Sequence, residues 1–109
     1  MNKKVIEPEA YGKYLKEVMK RCRVDVFDLH TALGVSKVYL YDILSGRTAP
    51  PPAPLQVRIV EILGVDKHTA AELYDLAAYI RGEMPVDIVM AINESTVLST
   101  KIRELMWEK

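Results

Sequence analysis

The sequence predicts an all-α fold: five short helices forming one globule, followed by a C-terminal helical extension. Three observations carry this. Apolar residues recur at three- and four-residue intervals through most of the 109 residues, the period of a helix with one buried face. Gly34, Gly46, Gly64 and Gly82 each stand just after such a run, where a left-handed residue commonly ends a helix. Only five glycines, and six prolines of which three are consecutive at Pro50–Pro52, leave little sequence for hairpins.

The first helix is expected from near Pro8 to about Cys22, because proline is tolerated in a helical first turn. Tyr11, Tyr14, Leu15, Val18, Met19 and Cys22 mark its buried face, and Lys13, Lys16, Glu17, Lys20 and Arg21 its wet side. Asp25 caps the second helix, with Asp28 near its positive end. Ser36 caps the third, which Gly46 closes. Arg47–Pro54 is a stiff proline-rich connection. A fourth helix is expected from about Pro54 to Leu63, with Leu55, Ile59, Ile62 and Leu63 inward. A fifth runs from about Lys67 to Arg81 on Ala71, Leu73, Tyr74, Leu76, Ala77 and Ile80.

Glu83-Met84-Pro85 breaks the chain again. The segment VDIVMAI that follows is short enough to read as strand or helix. Helix is favoured, since nothing else offers a partner strand. A last helix is expected from about Thr96 to Trp107. The domain reading is therefore residues 1–82 as the main domain and 83–109 as the extension. Val89, Ile92, Leu98, Ile102, Leu105 and Trp107 give that extension more apolar surface than a lone segment tolerates. It packs on the globule or buries against a second copy of the chain.

Composition bounds the chemistry. The formal net charge is zero, which argues against a strongly electrostatic nucleic-acid binder. The distribution is uneven: residues 1–52 carry nine Lys/Arg against six Asp/Glu, and residues 53–109 carry six against nine. No run of about 18 apolar residues exists, so no membrane span is expected, and the N-terminus is not of the secretory type. A cytoplasmic protein is the default. The single cysteine, Cys22, excludes an intrachain disulfide and a cysteine-built zinc finger, and its place on the apolar face reads as a buried structural thiol. His30 reads as a packing residue and His68 as solvent-facing, and neither has a metal-ligand neighbour. Asp25 with Asp28, and Glu72 with Asp75, suit helix ends and a solvated face. No glycine-rich phosphate loop is present, so no cofactor and no catalysis are expected.

The stretch VDVFDLHTALGVSKVYLYDILSGRTAP, at Val24–Pro50, is the most informative. Leu29, Leu33, Val35, Leu40 and Ile43 fall where two helices joined by a tight turn need apolar groups to cross steeply. Leu33-Gly34-Val35-Ser36 supplies a helix end, a turn and a new start in four residues. The second helix of such a unit presents one face outward, at a width that suits a DNA major groove. The positions on it not needed for the core are Ser36, Lys37, Val38, Tyr41, Asp42 and Ser45. Ser36 can donate to a phosphate, and Lys37 can reach a guanine edge or a phosphate. Val38 and Tyr41 can pack on thymine methyls. Asp42 could accept from a cytosine amino group but is repelled by phosphate. Arg47, past the helix end, is placed for a phosphate.

From Tyr11 to about Gly64 the chain resembles the phage-repressor/Cro-like, xenobiotic-response-element class of helix-turn-helix regulators. The matching stretches are GKYLKEVMKR, LHTALGVSKVYLYDILSGRTAPP and VRIVEILGV. The segment Leu73–Ile92 is similar to an extension found in a subset of them. The resemblance implies a lambda-repressor-like five-helix DNA-binding domain, a recognition helix at Ser36–Leu44, and a homodimer on paired half-sites. The chain departs from the family pattern at three positions. Val26 stands where a phosphate-contacting Gln is common, His30 where a small residue is usual, and Arg23 where Gly often ends the first helix. The functional reading is a sequence-specific DNA-binding transcriptional regulator. Its alternative is an antitoxin-like or adaptor module that uses the same scaffold to hold another protein.

Overall fold

The computed structural model describes residues 6–108 and contains seven helices: α1 (Ala10–Cys22), α2 (Val26–Leu33), α3 (Lys37–Ser45), α4 (Ala53–Leu63), α5 (Lys67–Arg81), α6 (Val86–Glu94) and α7 (Thr96–Trp107). No strand occurs among the described residues, so VDIVMAI is helical. Helix α1 starts two residues later than expected. Pro8 and Glu9 form a turn, with the Ala10 N–H bonded to the Glu7 carbonyl at 3.0 Å. Helix α4 starts one residue earlier, at Ala53, which leaves Pro54 in its first turn.

Four starts are capped as short polar side chains dictate. Asp25 accepts from the Asp28 N–H at 2.8 Å, Ser36 from Tyr39 at 3.0 Å, Asp66 from Thr69 at 2.7 Å and Ser95 from Leu98 at 3.1 Å. Four of the helix ends use glycine in the left-handed region, at Gly34, Gly46, Gly64 and Gly82. Helix α1 ends instead on Arg23, a non-glycine residue at φ 56°, a conformation that L-residues adopt only at a cost.

Helix α1 is the centre of the core. Its Tyr11, Leu15, Val18 and Met19 are buried among Leu29, Leu40, Ile43, Leu44, Ile59, Leu63, Leu73 and Ala77. Cys22 packs at the edge of this cluster and is half-buried, not fully enclosed. Helix α4 corrects one expectation. Ile59 and Leu63 are buried and Ile62 packs at the edge, but Leu55 lies outside the core and Gln56 is inside it. Gln56, Ile59 and Leu63 form the inward i, i+3, i+7 stripe. The Gln56 amide reaches the Pro51 carbonyl at 2.8 Å, while its Oε1 is buried with no hydrogen-bond partner among the described residues. A second tie on the proline-rich connection comes from Arg81, which donates to the Pro50 carbonyl at 2.8 Å. Arg58 donates to the Ala32 carbonyl at 3.2 Å, joining α4 to the end of α2.

One close helix approach has no sequence signature. A Cβ on Gly12 would overlap the carbonyl oxygens of Ile43 and Leu44, so α1 and the C-terminal end of α3 meet backbone to backbone. Gly46, at φ 82°, faces Glu9 with no room for a side chain. The N-terminal turn of α1 thus clamps the C-terminal turn of α3.

Helix α6 docks on α4 and α5 through Val86, leaving an apolar groove of about 330 Å³ lined by Pro54, Val57, Met84, Val86, Val89 and Met90. Helix α7 packs on α6 and buries none of its residues. The Cα radius of gyration is 15.5 Å, above the roughly 13 Å of a compact chain of this length. The extension projects from the globule. Where α5 meets α6, burial and the nearby Asp87 and Glu72 carboxylates raise the Asp75 pKa.

Replacing Gly12 with Ala should lower stability by about 1–3 kcal/mol, since backbone carbonyls cannot step aside as a side chain can. Thermal unfolding of the two proteins checks this. The Asp66 carboxyl is held below its ordinary value of 3.8, first by the Thr69 backbone N–H. Its contribution is therefore complete above 3.8 and is lost as pH falls through the lower folded-state value. Asp66→Asn should flatten that acid limb of a stability–pH profile. An unchanged limb would assign the acid sensitivity to other carboxyls.

Candidate nucleic-acid interface

Leu29 on α2 and Leu40 and Ile43 on α3 are fully or nearly fully buried, and they fix the crossing of the two helices. The turn between them folds on His30. Its backbone carbonyl accepts from Gly34 and Val35, and its Nδ1–H donates to the Val35 carbonyl at 3.0 Å. The imidazole meets the Phe27 ring edge-on, with centroids 5.6 Å apart. His30 is therefore a packing and turn-tying residue, as expected. It fills the space that a smaller residue would leave.

With its C-terminal end clamped and its inner face buried, α3 turns the other face to solvent. Lys37, Tyr41 and Ser45 succeed one another at four-residue intervals along it, with Val38 beside them. Val38 is 70% exposed and Tyr41 51% exposed. Lys37 and Ser45 are also exposed. Four of the expected contact residues, Ser36, Asp42, Ser45 and Arg47, are partly engaged within the chain. Ser45 donates its hydroxyl to the Asp42 carbonyl at 3.2 Å. Asp42 is half-buried, and its carboxylate stands 3.5 Å from the Arg47 guanidinium. That pair neutralises the one acid on the face, and at this separation in solvent it is weak enough for Arg47 to exchange it for a phosphate. The Ser36 oxygen is committed to capping, which leaves its hydroxyl proton free to donate.

By sequence alone, Lys16 and Lys20 lie merely on the wet side of α1. The fold brings them, with Arg23, to the rim of a groove of about 630 Å³ that also borders Tyr41 and Ser45. Among the described residues none of these three cations forms an ion pair. Arg21, by contrast, pairs with Glu17 at 3.7 Å and lies over the Tyr14 ring. The signal was the four-residue spacing of Lys16 and Lys20, but only the packing of α1 against α3 shows what that edge adjoins. Val26 sits in the same groove, as an apolar side chain with nothing to offer a phosphate.

Two helices joined by a glycine turn, the second projecting a polar and aromatic face, define a helix-turn-helix. A family model described as a helix-turn-helix domain matches residues 10–73, more than half of the chain. The protein belongs to that family, and membership implies DNA binding in transcription regulation. No curated protein and no solved structure matched the chain significantly. The matched span ends within α5, leaving α6 and α7 outside it. Among the described residues no helix is long and apolar enough to cross a membrane.

The extension distributes its apolar residues unevenly. Val89, Leu98, Leu105 and Trp107 are exposed, whereas Ile92 and Ile102 are half-buried. Ile102 and Ser99 are the α7 residues with least exposure, consistent with the side turned to α6. Ile92 and Ile102 are thus partly spent inside the helical pair, and the other four share the open apolar surface with Ile88, Met90, Val97 and Met106.

Proposed function

We propose that this protein is a sequence-specific transcriptional regulator that occupies an operator as a homodimer, with α3 in the major groove. The observation that carries the reading is the outward face of α3. Lys37, Val38 and Tyr41 are solvent-exposed on a nine-residue helix whose other side is locked into the core. Residues 1–82 would form the DNA-binding domain and residues 83–109 the dimerisation element. Lys37, Val38 and Tyr41 would read base edges, with Asp42 able to select a cytosine amino group. Ser36, Ser45 and Arg47, joined by Lys16, Lys20 and Arg23, would meet the sugar–phosphate backbone. A good base contact supplies about 1–3 kcal/mol of discrimination, so one subunit with two or three of them binds weakly. Paired half-sites on a dimer supply the rest.

The exposed side of α6 and α7 supports the dimer. Val97 is 79% exposed and Trp107 73% exposed, an unusual amount of apolar surface for a monomer. The same surface favours the second reading, a protein-binding adaptor on a helix-turn-helix scaffold, with which zero net charge also agrees.

Selection from a random duplex pool should return a two-fold symmetric site. Lys37→Ala with Arg47→Ala should weaken its binding by tenfold or more, roughly 1.4 kcal/mol or above, with helicity and melting temperature unchanged. It should also make the salt dependence shallower, by about one unit of slope for each phosphate no longer neutralised. Wild-type affinity in the double variant would show that α3 does not face DNA, and no duplex binding at any ionic strength would favour the adaptor. In a separate measurement, Leu105→Lys with Trp107→Lys should convert the dimer to a monomer in sedimentation equilibrium. A surviving dimer would move the interface to the first five helices.

A further inference from the structure

We propose that the groove between α1 and α3 binds a small amphipathic anion, an aliphatic or aryl carboxylate, in competition with DNA. The competition rests on the operator reading above, but the pocket itself does not. Its volume of about 630 Å³ lies within the range of small-molecule sites, roughly 300–1,000 Å³. The floor is apolar: Met19, Val24, Val26 and Leu44, with the Tyr41 ring at one side. A methionine in such a floor adapts to ligands of different outline.

The rim has the opposite character. Lys16, Lys20 and Arg23 bring three cations to it against one acid, Asp25. The Asp25 oxygen is already taken by the Asp28 N–H, so its charge is partly answered by the α2 start. Arg23 adds a second observation. It holds a left-handed conformation that glycine would adopt without strain, and a strained residue that persists at a cleft points to a use for its side chain. Here the side chain supplies a guanidinium suited to a planar carboxylate. A phosphodiester strand alone would engage the three cations and leave the apolar floor open to water. A molecule with an apolar body and one anionic head satisfies both parts. Because Tyr41 and Ser45 border the groove and belong to the outward face of α3, an occupant there would obstruct the approach of a duplex.

Decanoate, kept below its micelle-forming concentration, tests this on the full chain carrying methyl-labelled methionine. The Met19 methyl signal should shift saturably, while that of Met106 on α7 stays put. Decanol, with the same chain and no charge, should bind at least about tenfold more weakly, the loss expected for a charge-assisted contact. Lys20→Gln with Arg23→Gln should reduce decanoate affinity to the level of decanol and leave decanol binding unchanged, which a purely structural role would not do. An unmoved Met19 signal, a shift confined to Met84 and Met90 in the second groove, or equal affinity for the two compounds would overturn the proposal. Decanoate should also release a labelled duplex from the wild-type protein, and a duplex retained beside bound decanoate would refute the competition. A chain that binds decanoate but no duplex would uphold the pocket and reject the operator reading.

Discussion

The architecture depends on one contact without side chains, where the first turns of α1 meet the last turn of α3. Gly12 admits the Ile43 and Leu44 carbonyls, and Gly46 admits Glu9. With one end of α3 held this way and Leu40 and Ile43 buried beneath it, its exposed flank is presented at a fixed angle. Interiors packed to crystal-like density do not yield gradually. A displacement of α1 would therefore be felt directly in the direction that Lys37 and Tyr41 point. The same approach places the Lys16–Lys20 edge of α1 beside Tyr41 and so builds the groove.

Charge neutrality conceals a division of labour. Asp25 and Asp66 are spent as helix caps, and Asp42 lies against Arg47. Asp75 feels Asp87 and Glu72 where α5 meets α6. The cations bordering the groove have no such partners among the described residues. A sum over the chain reads zero, although at the length scale that matters, about 8–10 Å in ordinary salt, the neighbourhood of α3 is enriched in positive charge. Net charge was thus the least informative part of the composition.

The helices and their ends were legible because their causes are local. Asp25 and Ser36 each cap within three residues, and Gly34, Gly46, Gly64 and Gly82 act on the turn that they follow. The outward face of α3 was legible for the same reason, given the periodicity of Leu40 and Ile43. What escaped involves partners far apart in sequence. Gly12 sits in an ordinary helical pattern, and only α3 explains it. The expectation placed Leu55 inward, yet Gln56 takes that place and ties the proline connection. The links from Arg81 to Pro50 and from Arg58 to Ala32 span 31 and 26 residues. The clustering of Lys16, Lys20 and Arg23 beside Tyr41 likewise needed three dimensions.

Ser95 closes α6, its N–H bonded to the Ile92 carbonyl, and in the same step opens α7 by accepting from Leu98. One residue serves as the whole joint, so the chain has no slack there. Ser95 is extended rather than helical, so adding or deleting a single amino acid at that point would redirect everything beyond it. Leu98, Leu105 and Trp107 would then look in another direction, although each helix kept its own length and sequence. The phase of the tail relative to the globule is therefore encoded at one position, and chain length there matters more than residue identity along most of α7.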